Sequence, residues 1–331
     1  VLTWQVWLPR RAAEMTAAES REGDTGALAR SPGFTAACVV AGVVLIFAYG
    51  NHLANGVHFP DARVIQNNLS IRSLDNTGNF FTDPRTLSTR PAEGVYRPLL
   101  TLSHALDYRL GGGLDAHPYR RTQLLLLFGV GALSVLLFRR IFDLGGGGAE
   151  NRYAALVAAL LLCVHVAATG TVNDLSARAD LIAALAIVAS FAIYLARPER
   201  RKLHLYLLPM IAGALAAPAS LAFAPLLLAF AWFFEEDRSL RDLLRSGEPR
   251  RIGAVLLRCA PALIVALPML LFLRWMDGQA LRAAGDVGWK AAIYLPYVWL
   301  QQARLFFLPL GLTADPGWAQ PSARTGLAAV A

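Results

Sequence analysis

Long apolar runs decide what this chain can become. They lie at about 34–54, 122–138, 153–168, 179–196, 204–234, 252–273 and 291–310. A helix needs about 20 apolar residues to cross roughly 30 Å of hydrocarbon. In lipid, only helices and closed barrels satisfy every backbone N–H and C=O. Runs this long and this free of polar alternation predict helices, so the expected class is an all-α integral membrane protein. The composition agrees: 56% of the 331 residues are hydrophobic and 16% are charged, against about 25% charged in soluble domains.

The net charge of +8 comes almost wholly from arginine, because Lys202 and Lys290 are the only lysines. The arginines gather at the ends of the apolar runs, where membrane proteins place them. No soluble basic domain or aromatic-interleaved patch is present, which excludes nucleic acid as a partner. Cys38, Cys163 and Cys259 each fall inside an apolar run without CxxC spacing, so no metal site is expected and they read as small buried hydrophobes.

Orientation follows from the same arginines. With a cytoplasmic N-terminus, segments 1–33, 139–152, 197–203 and 235–251 carry the cytoplasmic charge, and short external loops are poor in it, as the positive-inside rule expects. About thirty mostly polar residues precede the first run, which is therefore expected to stay as an anchor. The run 204–234 has cytoplasmic charge at both ends and must cross an even number of times. Split in two, it gives limbs of about 23 Å at 1.5 Å per residue, so a hairpin breaking at Ala217-Pro218 is expected, because Pro218 cannot continue a helix. The total is about eight crossings within 34–310, followed by an external tail, 311–331.

The first external loop, 55–119, is too rich in aromatic and apolar residues to be a linker. Within it Leu99, Leu102, Ala105, Leu106 and Leu110 fall at helical spacing and predict an amphipathic surface helix ended by Gly111 to Gly113. Asn68-Leu69-Ser70 matches a glycosylation sequon. The arginine-rich, nearly lysine-free composition instead points to a high-GC bacterium and its inner membrane, and the sequon is discounted.

Four stretches in this order resemble the GT-C class of membrane glycosyltransferases, specifically relatives of the transmembrane and tetratricopeptide-repeat O-mannosyltransferases. They are FPDARVIQNN at 59–68, YRPLLTLSHALDYRLGGGLDAHPY at 96–119, VHVAATGTVNDLSARADLIAAL at 164–185 and YLPYVWLQQARLFFLPLGLTADPGW at 294–318. The resemblance implies a GT-C-like bundle with a structured first external loop. It also implies an inverting transfer of sugar from a polyprenyl-phosphate donor.

Departures from the pattern are concentrated in polar positions. Relatives carry an Asp-Asp pair where this chain has Pro60 and Asp61. Their His-x-x-Asn-x-x-x-His is here Arg120, Gln123 and Leu127, and of the His-Pro-x-His-Thr-Glu only His165 and Thr169 match. Their Ser-Lys-Glu hairpin apex is Ala217, Pro218 and Ala219. Such a transfer needs a carboxylate base and cations for the departing phosphate. Asp61 is the candidate base. Arg63, Arg97, Arg120, Arg178 and Arg258 are the phosphate or lipid candidates, the last because a charge inside an apolar helix calls for a partner. His165, Asp174 and Asp180 are supporting candidates, with Asp174 one turn from the missing acid and Arg178 and Asp180 as a local pair.

Two functions follow. One is a non-catalytic membrane subunit or lipid-binding accessory protein with an eroded active site, partnered by other membrane subunits. The other is an active transferase with Asp61 as base, using a polyprenyl-phosphate-linked sugar. A transporter is disfavoured, since paired Gly/Pro helix breaks in inverted repeats are not seen.

Overall fold

The computed structural model describes residues 32–56, 61–89, 95–146, 148–196, 198–236, 249–281, 300–301 and 303–308. Nearly all of segment 1–33, Pro60, the tail 311–331 and most of the run 291–310 lie outside the described residues. Among the described residues, ten α-helices of six residues or more appear in order: α1 Pro32–Ala48, α2 Thr77–Thr82, α3 Pro98–Gly111, α4 Ala116–Leu144, α5 Asn151–Val164, α6 Val166–Asn173, α7 Arg178–Ala196, α8 Leu207–Ala214, α9 Phe223–Phe230 and α10 Pro249–Leu281. Among the described residues there is no strand. The chain is an all-α polytopic membrane protein.

Among the described residues, five helical stretches are long and apolar enough to cross a bilayer: Pro32–Ala54, Ala116–Leu144, Leu175–Ala196, Pro218–Glu235 and Ile252–Gly278, with the shorter apolar Asn151–Val164 beside them. Helix α1 buries only Ala41 and Leu45 and turns Val40, Ile46 and Phe47 outward. Inside lipid such exposure costs nothing, since acyl tails are as apolar as the side chains.

The apolar run expected to continue from 153 to 168 breaks earlier. His165 is extended (ψ 138°) and separates α5 from the short α6. The expected break at Pro218 is present: Ala217 is extended and Pro218 opens a short 3₁₀ segment, Pro218–Ala222. The chain turns back there, because the Tyr194 ring meets both Tyr206, ahead of α8, and Phe230, at the end of α9. Gly213 lets α8 close on its neighbours. A Cβ there would sit 2.3 Å from that of Ala186 and 2.9 Å from that of Ser220. Helices α7, α8, α9 and α10 share the main apolar core, with Phe191, Met210, Phe223, Leu227 and Cys259 at its centre.

Arg258, inside α10, is held by acidic groups. Its guanidinium pairs with Glu235 (2.7 Å) and Glu236 (3.2 Å), and Glu235 also takes Arg201 at 2.8 Å. This satisfies the intramembrane charge within the protein, far along the chain from the other candidates.

The segment between α1 and α4 packs into a second core with the turn before α7. Ile65, Ile71, Phe80, Ala105, Tyr119 and Leu175 pack together. Each large apolar side chain taken from water there stabilises by about 1.5–3 kcal/mol. The sequon's Asn68 is buried, donating to the Thr86 and Leu87 carbonyls and accepting from Ser70 N–H; a glycan on its nitrogen would break these bonds. Helix α3 ends at Gly112, in the left-handed region (φ 67°), so the glycines stop the helix as the sequence predicts.

Only part of the α3 face marked by the leucine spacing packs: Ala105 is buried, with Leu102 and Leu99 packed against neighbouring clusters. Leu106 and Leu110 are exposed, while Thr101, His104 and Asp107 are buried. Leu106 and Leu110 fall on one side of the helix, and the side carrying Leu100, His104 and Asp107 turns inward, where an arginine waits.

Candidate functional site

That arginine is Arg178, the first residue of α7, wholly buried. Its Nη1 lies 2.6 Å from Asp107 Oδ2 and donates to Ser103 Oγ at 3.2 Å. Its Nε donates to Gln123 Oε1 (3.1 Å) and its Nη2 to the Tyr119 carbonyl (2.9 Å), with the guanidinium over the Tyr119 ring. Asp107 takes a second bond from Thr122 Oγ1 at 2.6 Å. The pairing expected from sequence, Arg178 with Asp180, is replaced by Arg178 with Asp107. Residues two apart on a helix do not face each other, and Asp180 is exposed.

Arg120 forms the second knot, also without exposed surface. Its Nε donates to the Asn55 carbonyl (2.7 Å), Nη2 to that of Gly56, and Nη1 to that of Asn173 (3.2 Å). His52 joins it, one ring nitrogen 3.2 Å from the Arg120 carbonyl and the other 3.2 Å from Asn173 Oδ1. Gln123, one turn on, donates to the carbonyls of Thr171 and Asp174. Arg120 and Gln123 thus fasten the end of α1, the start of α4 and the turn after α6 together.

Asp61 sits between the two knots, fully buried. Its Oδ1 accepts Ser176 N–H at 2.9 Å, and Asp174 Oδ1 accepts the same N–H at 2.9 Å and Ser176 Oγ at 2.7 Å. Both carboxylates are within electrostatic reach of Arg120, and Asp61 of Arg178 as well. The structure therefore brings Asp61, Asp174, Arg120 and Arg178 into one polar cluster. Asp180 borders this cluster, within electrostatic reach of Asp174, and the remaining candidates lie elsewhere. Arg63 is half-buried on the helical turn Ala62–Gln66. Arg97 lies near Asp180 and Asp277. His165 stacks on Phe306 with ring centroids 4.6 Å apart.

Sequence reasoning missed Asp107, His104, Ser103, Thr122, Tyr119, Ser176, His52 and Asn173. One signal was available: Thr101, His104 and Asp107 are spaced by three in a helix whose Leu102, Leu106 and Leu110 occupy the other side, a polar face too regular for a solvated surface. Where the resembled enzymes carry a polar hairpin apex, Ala216 and Ala217 are packed against Leu87, Leu100, Ala179 and Ala183, and the Leu215 carbonyl accepts Leu99 N–H at 3.1 Å.

His104 is the strained member. Neither ring nitrogen finds a hydrogen-bond partner among the described residues. Burial, and secondarily the Arg178 charge, hold its pKa well below the usual histidine range, so it is neutral in the fold. Unfolded, it takes a proton near pH 6.5. The unfolded state then binds more protons, and stability falls as pH drops below about 6.5. Burial also raises the Asp107 carboxyl, opposed by Arg178 and Thr122, an effect of opposite sign. Comparison with a variant isolates the histidine. Melting curves of His104→Leu in detergent are expected to match or exceed the parent at pH 7, because a buried unpartnered polar group costs about 1–3 kcal/mol. They are also expected to lose part of the parent's decline between pH 7 and 5.

Comparison with known proteins gives partial similarity. The chain is 30% identical over 165 residues to Protein O-mannosyl-transferase TMTC4 of Homo sapiens, a match covering 47% of this chain and 22% of that protein. The Mus musculus TMTC4 matches at 30% over 168 residues with the same coverage. Protein O-mannosyl-transferase Tmtc2 of Drosophila melanogaster matches at 28% over 165 residues, covering 48% of this chain and 16% of that protein. The chain thus spans about a fifth of the length of the curated relatives it matches. No family model and no solved structure matches. Over about half its length this is a glycosyltransferase-like membrane protein.

Proposed function

We propose that the chain is a GT-C-like scaffold without transfer chemistry, acting as a membrane subunit or lipid-binding accessory protein, placed by its composition in a bacterial inner membrane with its N-terminus in the cytoplasm. One observation carries the reading. The two arginines most suited to meet a departing phosphate, Arg120 and Arg178, are fully buried and engaged by carbonyls, side-chain acceptors and Asp107. A guanidinium so occupied must break several charge-assisted bonds, each worth about 1.5–3 kcal/mol, before it can serve a substrate. The alanine-filled hairpin apex supports the same reading.

A second reading keeps the chain active, with Asp61 as the base that takes the acceptor's proton and a polyprenyl-phosphate-linked sugar as donor. It is favoured by the shared Ser176 N–H, which holds Asp61 and Asp174 side by side in place of the Asp-Asp pair of the resembled enzymes. The two readings part in one assay. Offered polyprenyl-phosphate-linked mannose and hydroxyl-bearing peptides in nanodiscs, the chain is expected to transfer no more sugar than empty nanodiscs. Transfer that Asp61→Asn abolishes would overturn the scaffold reading. A chain that always purifies alone from its native membrane would count against the subunit role.

A further inference from the structure

Away from the polar cluster, a cavity of about 300 Å³ lies between α1, α4 and α5, inside the apolar part of the bundle. Its walls include Cys38 and Gly42 of α1, Ala132 and Val135 of α4, and Leu156 and Ala159 of α5. Along α1 it extends from Phe34 to Leu45, eleven residues or about 16 Å. That is about half the roughly 30 Å hydrocarbon thickness, so the groove is one leaflet deep. Its inner end is closed where the Tyr49 hydroxyl donates to the Cys163 carbonyl at 2.7 Å.

The end that meets the membrane surface is cationic. The Arg152 guanidinium stands 5.4 Å from the ring centre of Phe34 and 4.9 Å from that of Tyr153, and Phe34 is itself a wall of the groove. Arg152 precedes the wall residues Leu156 and Ala159 on one face of α5. On α4 the wall positions Phe128, Ala132 and Val135 continue one turn later to Arg139. Arg139 is partly exposed and lies 3.8 Å from Asp143. Two helices thus lead the same apolar slot to an arginine at the same membrane surface.

We propose that this groove seats one acyl chain of an anionic phospholipid from that leaflet, with its phosphate at Arg139 and Arg152. The groove supplies an apolar wall of one leaflet's depth, and the two cations supply the preference for a negatively charged headgroup. A zwitterionic lipid or a neighbouring helix would gain the first and not the second.

Photo-crosslinking in nanodiscs tests this. A phosphatidylglycerol probe with a diazirine in its acyl chain is expected to label peptides carrying 34–45, 128–135 and 156–163 more strongly than the matching phosphatidylcholine probe. Neutralising Arg139→Gln and Arg152→Gln is expected to lower phosphatidylglycerol labelling roughly five-fold per arginine and to leave the phosphatidylcholine level unchanged. At Gly42 an added Cβ meets nothing within 4 Å, so Gly42→Phe fills the groove and is expected to remove the adducts with the melting temperature kept. Equal labelling by both probes, indifferent to the arginines, would mean annular lipid only and overturn the proposal. So would a second protein chain cross-linked in the groove in place of lipid.

Discussion

Arg178→Met is expected to destabilise this protein strongly, by about 3–5 kcal/mol. Methionine fills much of the arginine's volume, so the loss is electrostatic rather than a cavity. It leaves the Asp107 carboxylate buried in α3 with only Thr122 as hydrogen-bond donor, and strips partners from Gln123, Ser103 and the Tyr119 carbonyl. Breaking a buried pair costs more than the pair contributed, because the surviving charge stays desolvated. The double variant Asp107→Leu with Arg178→Met is therefore expected to be more stable than Arg178→Met alone. Thermal melts of the parent, Arg178→Met, Asp107→Leu and the double variant complete the cycle. Additive losses would show that the two residues do not act as a pair.

How much of this was legible in the sequence depends on the kind of signal. Apolar runs located the membrane helices well, since lipid leaves the backbone few alternatives. The runs at 34–54, 122–138, 179–196 and 252–273 all fall within or beside helices, and Pro218 broke the hairpin where proline chemistry requires. Helix ends were less legible. α4 begins six residues before its apolar run, at Ala116, because Asp115 caps it by accepting His117 N–H, and α5 stops at Val164 against an extended His165.

The candidate site was legible in membership and not in pairing. Asp61, Asp174, Arg120 and Arg178 were all singled out, yet Asp107 was not. Its partner is 71 positions away on α7, and Asp107 itself sits on a side of α3 that the spacing of Leu102, Leu106 and Leu110 does not mark. Arg258 shows the same limit: the rule that an intramembrane charge has a partner held, but Glu235 and Glu236 lie across a chain reversal that no local pattern reveals.

The arginine next to the candidate base tests the scaffold reading from the other side. Arg120 binds three backbone carbonyls, those of Asn55, Gly56 and Asn173, and lies near the carboxylates of Asp61 and Asp174. If its task is to tie α1, α4 and α6 together, Arg120→Met leaves buried carbonyls unpaired at about 1–3 kcal/mol each, and the fold suffers whether or not any donor is present. If its task is to meet phosphate, the fold tolerates the change and only donor-dependent properties respond.

The melting temperature of Arg120→Met in nanodiscs, without donor, is thus the most direct measurement. A fall of several degrees or more beside the parent is the expected result. An unchanged melting temperature, accompanied by loss of sugar transfer or donor binding that the parent displays, would contradict it.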